Sequence, residues 1–268
     1  MSRFDTLFHQ LKSQQACAFM PQLTLCDPDS TRSFDLICTL IDNGADALQL
    51  SLPFSDPLLD SPAIQAANQR ALSSDGGTET SFQLIAKVRA RYPAIPISLM
   101  LCANLVYAQT LDGFYQRCAE VGIDAVFIVD LPLLNREEFL PFARKYGIQQ
   151  VFMCPLHTTE ATLNEVATYS EGYVYLPALP HCASTDSIVK LRDLVRQLQS
   201  AHSAPIMLNL ETIPPQHVME ILSSGIAGMI TSESVVEVIE SHLDEPVMCL
   251  TKLADLAQNT KKLTALKA

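Results

Sequence analysis

Positive charge is scarce in this sequence: 18 Lys and Arg stand against 29 Asp and Glu, for a formal net charge of −11. That balance argues against a nucleic acid or an anionic membrane surface as the main partner. Long apolar runs are missing too. None approaches the ~20 residues needed to cross a bilayer. The opening stretch Met1–Lys12 is polar and amphipathic, without the apolar centre of a signal peptide. Paired cysteines are also absent. Cys17, Cys26, Cys38, Cys102, Cys118, Cys154, Cys182 and Cys249 stand singly, with no C-x-x-C among them. Several lie in apolar runs, where a reduced Cys packs as a small hydrophobe, so neither a disulfide scaffold nor a metal site is expected. A cytoplasmic protein is the expectation.

What the chain has in quantity is core material. Of its 268 residues 48% are hydrophobic, and no low-complexity linker divides them. Residues 1–268 are therefore expected to form a single α/β domain. Phe4, Leu7, Phe8 and Leu11 recur at helical spacing and predict a first helix. Eight short apolar runs follow: Ala18–Leu25, Ala47–Leu50, Ile95–Leu101, Ala125–Val129, Gln150–Cys154, Tyr173–Pro177, Pro205–Leu210 and Gly228–Thr231. Amphipathic segments alternate with them, among them Thr31–Asn43, Leu111–Val121, Arg136–Tyr146, Ser187–Gln199 and a closing stretch Glu245–Leu266. A weak repeat supports the division. Gly44-Ala-Asp-Ala-Leu-Gln-Leu, Gly122-Ile-Asp-Ala-Val-Phe-Ile and Gly225-Ile-Ala-Gly-Met-Ile-Thr each read as a helix-stopping glycine, a short link and a buried strand. Eight strands alternating with helices predict a (β/α)₈ TIM barrel with an extra N-terminal helix. A doubly wound open sheet is the runner-up, but no G-x-G-x-x-G follows the first strand.

Chemistry in such a barrel concentrates where strands run into their following loops. The stretch 47–60 is the most distinctive of these. It begins as an apolar strand and turns at Pro53 into a loop bearing Asp56 and Asp60. Gln49 precedes Ser51 by two residues, so both side chains share a face. A carboxylate at position 49 would pair with Asp60 as acid and base; this chain has an amide there.

Residues 45–60, Ala-Asp-Ala-Leu-Gln-Leu-Ser-Leu-Pro-Phe-Ser-Asp-Pro-Leu-Leu-Asp, closely resemble the signature loop of the tryptophan synthase α subunit family. Asn104-Leu-Val-Tyr, Phe114-Tyr-Gln-Arg-Cys, Val129-Asp-Leu-Pro, Gly172-Tyr-Val-Tyr and the ending Ile239–Pro246 add to the resemblance, which runs from about Arg3 to the last helix. It implies a (β/α)₈ barrel, without a cofactor of its own, that cleaves indole-3-glycerol phosphate by a retro-aldol reaction. It also implies a partner, a pyridoxal-phosphate-dependent β subunit, in an α₂β₂ assembly. A Glu on the second strand and the Asp ending the next loop would carry the proton transfers. Glycine-rich turns after strands six, seven and eight would cradle the phosphate.

Against that pattern the sequence departs in both halves of the site. Gln49 stands at the Glu position, and an amide cannot cycle a proton near neutral pH. Losing a positioned acid/base costs about 10²–10⁴-fold in rate. It either holds a ligand through hydrogen bonds or is a polar residue of the barrel mouth. Asp60 matches the second carboxylate. The loop after strand six reads Ala178-Leu-Pro-His-Cys-Ala-Ser184, without glycine, and the turn after strand seven is Asn209-Leu-Glu211. After strand eight, Ser232-Glu233 replaces a Gly-Ser pair at a helix N-terminus. Glu211 and Glu233 would put negative charge where a phosphate would sit, with Glu233 filling or repelling at the helix end. The rest of the expected pocket is Gln22 and Cys102, where the family has Phe and Tyr, with Met100, Phe127, Val129 and Tyr175. The residues resembling a partner-facing surface are kept: Pro53, Phe54, Ser55, Asp56, Pro57, Asn104, Asp130 and Pro132. The prolines could instead simply stiffen loops.

Three functions follow. The chain acts mainly by binding and activating a β subunit, with its own lyase activity impaired or lost. Or it is a lyase still working through Asp60, on indole-3-glycerol phosphate or on a different substrate. Or it is an interaction protein that has lost the β partner as well. Other chemistry is thinly supported. His181-Cys182 offers a thiol beside a base but no third orienting group. His157 has no partner at metal-ligand spacing. His217 and His242 read as helix-surface residues, and Met219 and Met248 as helix core.

Overall fold

The computed structural model describes residues 1–57, 60–177, 185–211, 213 and 215–265. Eight parallel strands close into a barrel in sequence order: β1 (Ala18–Thr24), β2 (Leu48–Ser51), β3 (Ile97–Leu101), β4 (Ala125–Ile128), β5 (Gln149–Met153), β6 (Val174–Leu176), β7 (Ile206–Asn209) and β8 (Gly228–Thr231). Helix α1 (Arg3–Ser13) precedes them. Around the outside run α2 (Ser30–Asp42), α3 (Pro62–Ser73), α4 (Thr78–Arg91), α5 (Ala103–Tyr107), α6 (Leu111–Val121), α7 (Arg136–Tyr146), α8 (Glu160–Tyr169), α9 (Thr185–Ser200), α10 (Pro215–Leu222), α11 (Glu233–Ser241) and α12 (Pro246–Ala265). The TIM barrel expected from the alternation is thus the observed fold.

Most elements fall within two residues of their expected bounds. The short α5 and the 3₁₀ turn Leu133–Asn135 were not expected; neither is long enough to show a helical period. Met248 was expected in a helix core and is instead 42% exposed, near the start of α12.

The N-terminal end of the barrel is a built floor. Helix α1 carries a capping box, Ser2 with Asp5, which satisfies two of the free N–H groups at its start. The helix turns Phe4, Phe8 and Leu11 into the base of the barrel, where Phe4 packs on Tyr173 with ring centroids 5.4 Å apart. All three glycines of the sequence repeat, Gly44, Gly122 and Gly225, have positive φ, the backbone conformation that ends a helix at little cost only for glycine. After Gly44 and Gly122 the Asp two residues on then clamps the floor. Asp46 accepts from the Phe19 N–H of the neighbouring strand at 2.8 Å and pairs with Lys261 of α12 at 2.6 Å. Asp124 accepts from the Ile97 N–H at 2.9 Å and pairs with both Arg3 and Arg89 at 2.7 Å.

Register fixes which side chains meet inside. Gln22 pairs with Gln49, Met100 with Phe127, and Met153 with Tyr175 along neighbouring strands. Because alternate residues face inward, these pairs point into the barrel, and the apolar outward residues pack on the helices.

Candidate ligand site at the mouth of the barrel

At the C-terminal end the interior opens into a cavity of about 600 Å³, in the range of small-molecule sites. Its base is made by inward residues near the C-terminal ends of the strands: Gln22, Ser51, Met100, Phe127, Met153, Tyr175 and Asn209. Its rim comes from the loops, including Phe54, Asp56, Pro57 and Asp60 after β2, Cys102 after β3, Val129 and Asp130 after β4, Glu211 after β7, and Ser232 and Glu233 at the start of α11. All of the residues expected to touch a ligand therefore converge on one space, except Gln49.

Gln49 lies one layer below and is fully buried. Its Nε2 donates to Gln22 Oε1 at 2.8 Å and lies 3.2 Å from Met100 Sδ, while its Oε1 accepts from the Tyr173 hydroxyl at 2.9 Å. Ser98 Oγ meets the same hydroxyl at 2.7 Å. Of the two readings left open for this amide, neither fits as stated: it reaches neither the cavity nor the mouth, and its polar atoms are engaged with protein. Gln22 is the residue through which this interior chain meets the cavity. Burial holds the Tyr173 hydroxyl pKa well above its ordinary value, so the chain of groups is neutral.

Asp60 is positioned by the helix it precedes. Ser61 caps α3 with Pro62 at the first helical position, and Gln65 Nε2 donates to the Asp60 carbonyl at 2.8 Å. Among the described residues no donor reaches the Asp60 carboxylate, and burial pushes its pKa up. The same burial, with the Asp130 and Asp60 charges nearby, raises the Cys102 thiol to about 11. A thiol so placed stays protonated and is no nucleophile near neutral pH. Tyr175 is also raised by burial, against a lowering hydrogen bond from Asn209, and its ring lies 4.6 Å from that of Phe127.

The turn after β7 holds the largest surprise. Glu211 crosses to the start of α11, where its Oε1 accepts from the Ser232 N–H at 2.5 Å and from Ser234 Oγ at 3.1 Å, with the Ser234 N–H at 3.4 Å. Asn209 braces the turn from below, accepting from the Glu211 N–H at 3.1 Å and donating to Ser232 Oγ at 3.3 Å. A helix N-terminus of this kind attracts anions through free N–H groups and its dipole. Here a carboxylate of the chain itself is the anion. The filling expected from Glu233 is thus done by Glu211, and Glu233 faces the cavity. Burial raises the Glu211 pKa, with the N–H donors opposing. The segment 178–184, with the expected His181-Cys182 pair, lies outside the described residues.

The residues expected at a partner surface divide. Asn104, Asp56, Asp130 and Pro132 are exposed, Phe54 and Pro57 are half-buried, and Pro53 is buried. Pro53 therefore shapes its loop rather than offering a surface. Asp130 ties two rim loops together by accepting from the Ala103 N–H at 2.7 Å, and Asn68 of α3 holds the Phe54 N–H at 2.9 Å. Beside them stand two large apolar residues that the sequence did not single out as exposed, Tyr107 at 48% and Leu134 at 87%. The remaining histidines are ordinary: His157 is exposed, His217 meets Glu220 at 3.3 Å, and His242 caps α11 on the Val238 carbonyl at 2.9 Å. Among the described residues no group of three His, Cys, Asp or Glu could hold a metal, and no helix is long and apolar enough to cross a membrane.

The family model for the tryptophan synthase alpha chain matches residues 8–265. The tryptophan synthase alpha chain of Mannheimia succiniciproducens is 52% identical over 267 residues, 98% of this chain and 100% of that one. Among solved structures, tryptophan synthase subunit alpha from Legionella pneumophila shares the fold with a TM-score of 0.88 at 23% identity, covering 98% of each chain. A chain from the tryptophan synthase a2b2 complex of Pyrococcus furiosus, a structure described as the basis of mutual activation in that complex, gives a TM-score of 0.82 at 25% identity. It covers 92% of this chain and 98% of its own. A match of this extent, joined to the barrel and its signature loop, places the chain in the tryptophan synthase alpha chain family, a family of tryptophan biosynthesis.

Proposed function

We propose that the chain works chiefly as a docking and activating subunit for a pyridoxal-phosphate-dependent tryptophan synthase β subunit, and is impaired or inactive in cleaving indole-3-glycerol phosphate. The observation that carries this reading is the pairing of a sealed amide at position 49 with an anion site already filled by Glu211. Retro-aldol cleavage needs a group that gives and takes a proton at the reacting carbon. Gln49 has no proton to cycle, and its two polar atoms are turned to Gln22, Met100 and Tyr173. A phosphate entering beside Glu211 would also meet like charge. Two unit charges near ~4 Å repel by ~4 kcal/mol at an effective dielectric of about 20.

The partner half of the reading rests on the rim. Asp56, Asn104, Asp130 and Pro132 are exposed beside Tyr107 and Leu134. Polar groups ringing exposed apolar anchors is the composition of a protein interface. The Pyrococcus furiosus relative is part of an a2b2 complex, and an α₂β₂ assembly is proposed here too. Two assays on the purified chain test the reading. Indole release from indole-3-glycerol phosphate should stay at background, while a β subunit's conversion of serine and indole should accelerate on titrating the chain. Indole release at a rate typical of an active α/β pair would sink it.

One observation favours a second reading. Among the described residues the Asp60 carboxyl has no partner, and burial raises its pKa, as suits a group that exchanges a proton. A lyase acting through Asp60, on indole-3-glycerol phosphate or on another substrate, would lose its turnover in Asp60→Asn while β activation persisted.

A further inference from the structure

The floor of the barrel is clamped unevenly. All three units of the sequence repeat share one backbone arrangement there. The Asp46 N–H donates to the Phe19 carbonyl at 2.9 Å, the Asp124 N–H to the Ile97 carbonyl at 2.9 Å, and the Ala227 N–H to the Ile206 carbonyl at 2.8 Å. In the first two units the Asp carboxylate turns back onto the N–H of that same neighbouring residue and holds a cation as well. In the third unit the residue two past the glycine is Ala227, which has no carboxylate. The Ile206 N–H therefore has no side-chain acceptor from residue 227.

Space is left at that place. Ala227 and Ile206 line a cavity of about 420 Å³ between α1 and the turns that lead into β7 and β8, in the range of small-molecule sites. Phe8, Leu11, Pro205 and Ile226 give it an apolar wall, and Lys12 is the one charged residue that lines it. Among the described residues no acid pairs with Lys12, in a chain where 29 Asp and Glu outnumber 18 Lys and Arg. The cavity thus holds two of the parts of a floor clamp, a strand N–H and a cation, without the acid that joins them.

We propose that this cavity binds a small carboxylate with an apolar body. The ligand's carboxylate takes the place of the missing Asp, accepting from the Ile206 N–H and pairing with Lys12. Its body lies against Phe8, Leu11 and Ile226. Hydrogen bonds to an ionised acceptor are roughly twice as strong as neutral ones, so the site selects the carboxylate over an uncharged analogue of the same shape. It lies at the opposite end of the barrel from the mouth, and neither the docking role nor the lyase reading is needed for it.

Calorimetric titration of the full chain with naphthylacetate tests it, with naphthylacetamide as the uncharged counterpart. The carboxylate should bind about tenfold more tightly than the amide. Lys12→Met keeps most of the apolar stem, removes the charge, and should weaken the carboxylate by about tenfold. Ala227→Asp supplies the missing acid from the chain itself and should abolish binding. Circular dichroism melts establish that each variant is folded. Lys12 is exposed, so its variant reads the site even where Ala227→Asp does not fold. The proposal is overturned if naphthylacetate does not bind up to its solubility limit, if the amide binds as tightly, or if either folded variant binds the carboxylate unchanged. The outcome is separate from indole release and from the β titration, which read the mouth and its rim.

Discussion

The two ends of the barrel use the same residue types to opposite ends. At the floor, Asp46 and Asp124 are each locked between a strand N–H and a cation, Lys261 for one, Arg3 and Arg89 for the other. At the mouth, five acids face a cavity that no described cation enters. Among the described residues the Ser51 hydroxyl there has no partner. Paired charge at the floor ties helices to strands and closes the sheet. At the mouth Glu211 and Asp130 bond only to nearby backbone and hydroxyl groups, and among the described residues no cation ties any of the five acids to a helix. A barrel's closed end is where stability is built, and its open end is where residues are released from that duty.

The comparison can be broken most directly at the floor. Asp124→Ala leaves Arg89 and Arg3 without their shared acid and the Ile97 N–H without an acceptor, and should cost about 3–5 kcal/mol in urea unfolding. A loss under about 1 kcal/mol would mean that the floor clamp is ornamental. Next in size comes the seal between the two ends. Gln49→Ala strips partners from Tyr173 and Gln22 in a fully buried place and should cost about 2–3 kcal/mol. Gln49→Glu should leave indole release at background, because the Glu211 anion remains; recovery by that single change would show that the filled anion site does not block the reaction.

Smaller effects sharpen the mouth side. Leu134→Asp should leave thermal stability within about 0.5 kcal/mol while weakening β-subunit binding by about 1–2 kcal/mol in a titration. Equal binding would remove Leu134 from the proposed surface. Asp60→Asn should stabilise the free chain slightly at neutral pH, by about 0.5 kcal/mol. The sign follows from its raised folded pKa. The unfolded chain loses this proton first, so as pH rises from the ordinary carboxylate value through the raised one, the aspartate loses stability relative to its amide. Unfolding curves for the pair should converge as pH falls below the ordinary value. A gap that widens on acidification would reverse the assignment.

Much of this was legible in the sequence, and the exceptions have physical causes. Buried parallel strands read as apolar runs, so all eight were visible, and the repeated glycines marked where helices stop. The acids Glu211 and Glu233 were visible as charge but not as geometry. That Glu211 is the one accepting from Ser232 and Ser234 depends on how β7 and β8 lie side by side, which no local pattern encodes. The Gln22 and Gln49 contact is likewise a matter of register between β1 and β2. Helix α5 is too short to show a period, and the exposed Leu134 sits in a single 3₁₀ turn. Met248 is exposed although its sequence reads as helix core, because an apolar residue near a helix start has few neighbours with which to show a face.

The buried column from Ser98 through Tyr173 and Gln49 to Gln22 joins the packed base of the barrel to the cavity. It contains no carboxylate, and its only titratable group is a tyrosine kept protonated by burial. Acidity at the mouth can therefore change with pH or with a bound cation without any answering ionisation along the axis beneath it. The neutral column thus insulates the base of the barrel from changes of charge at its rim.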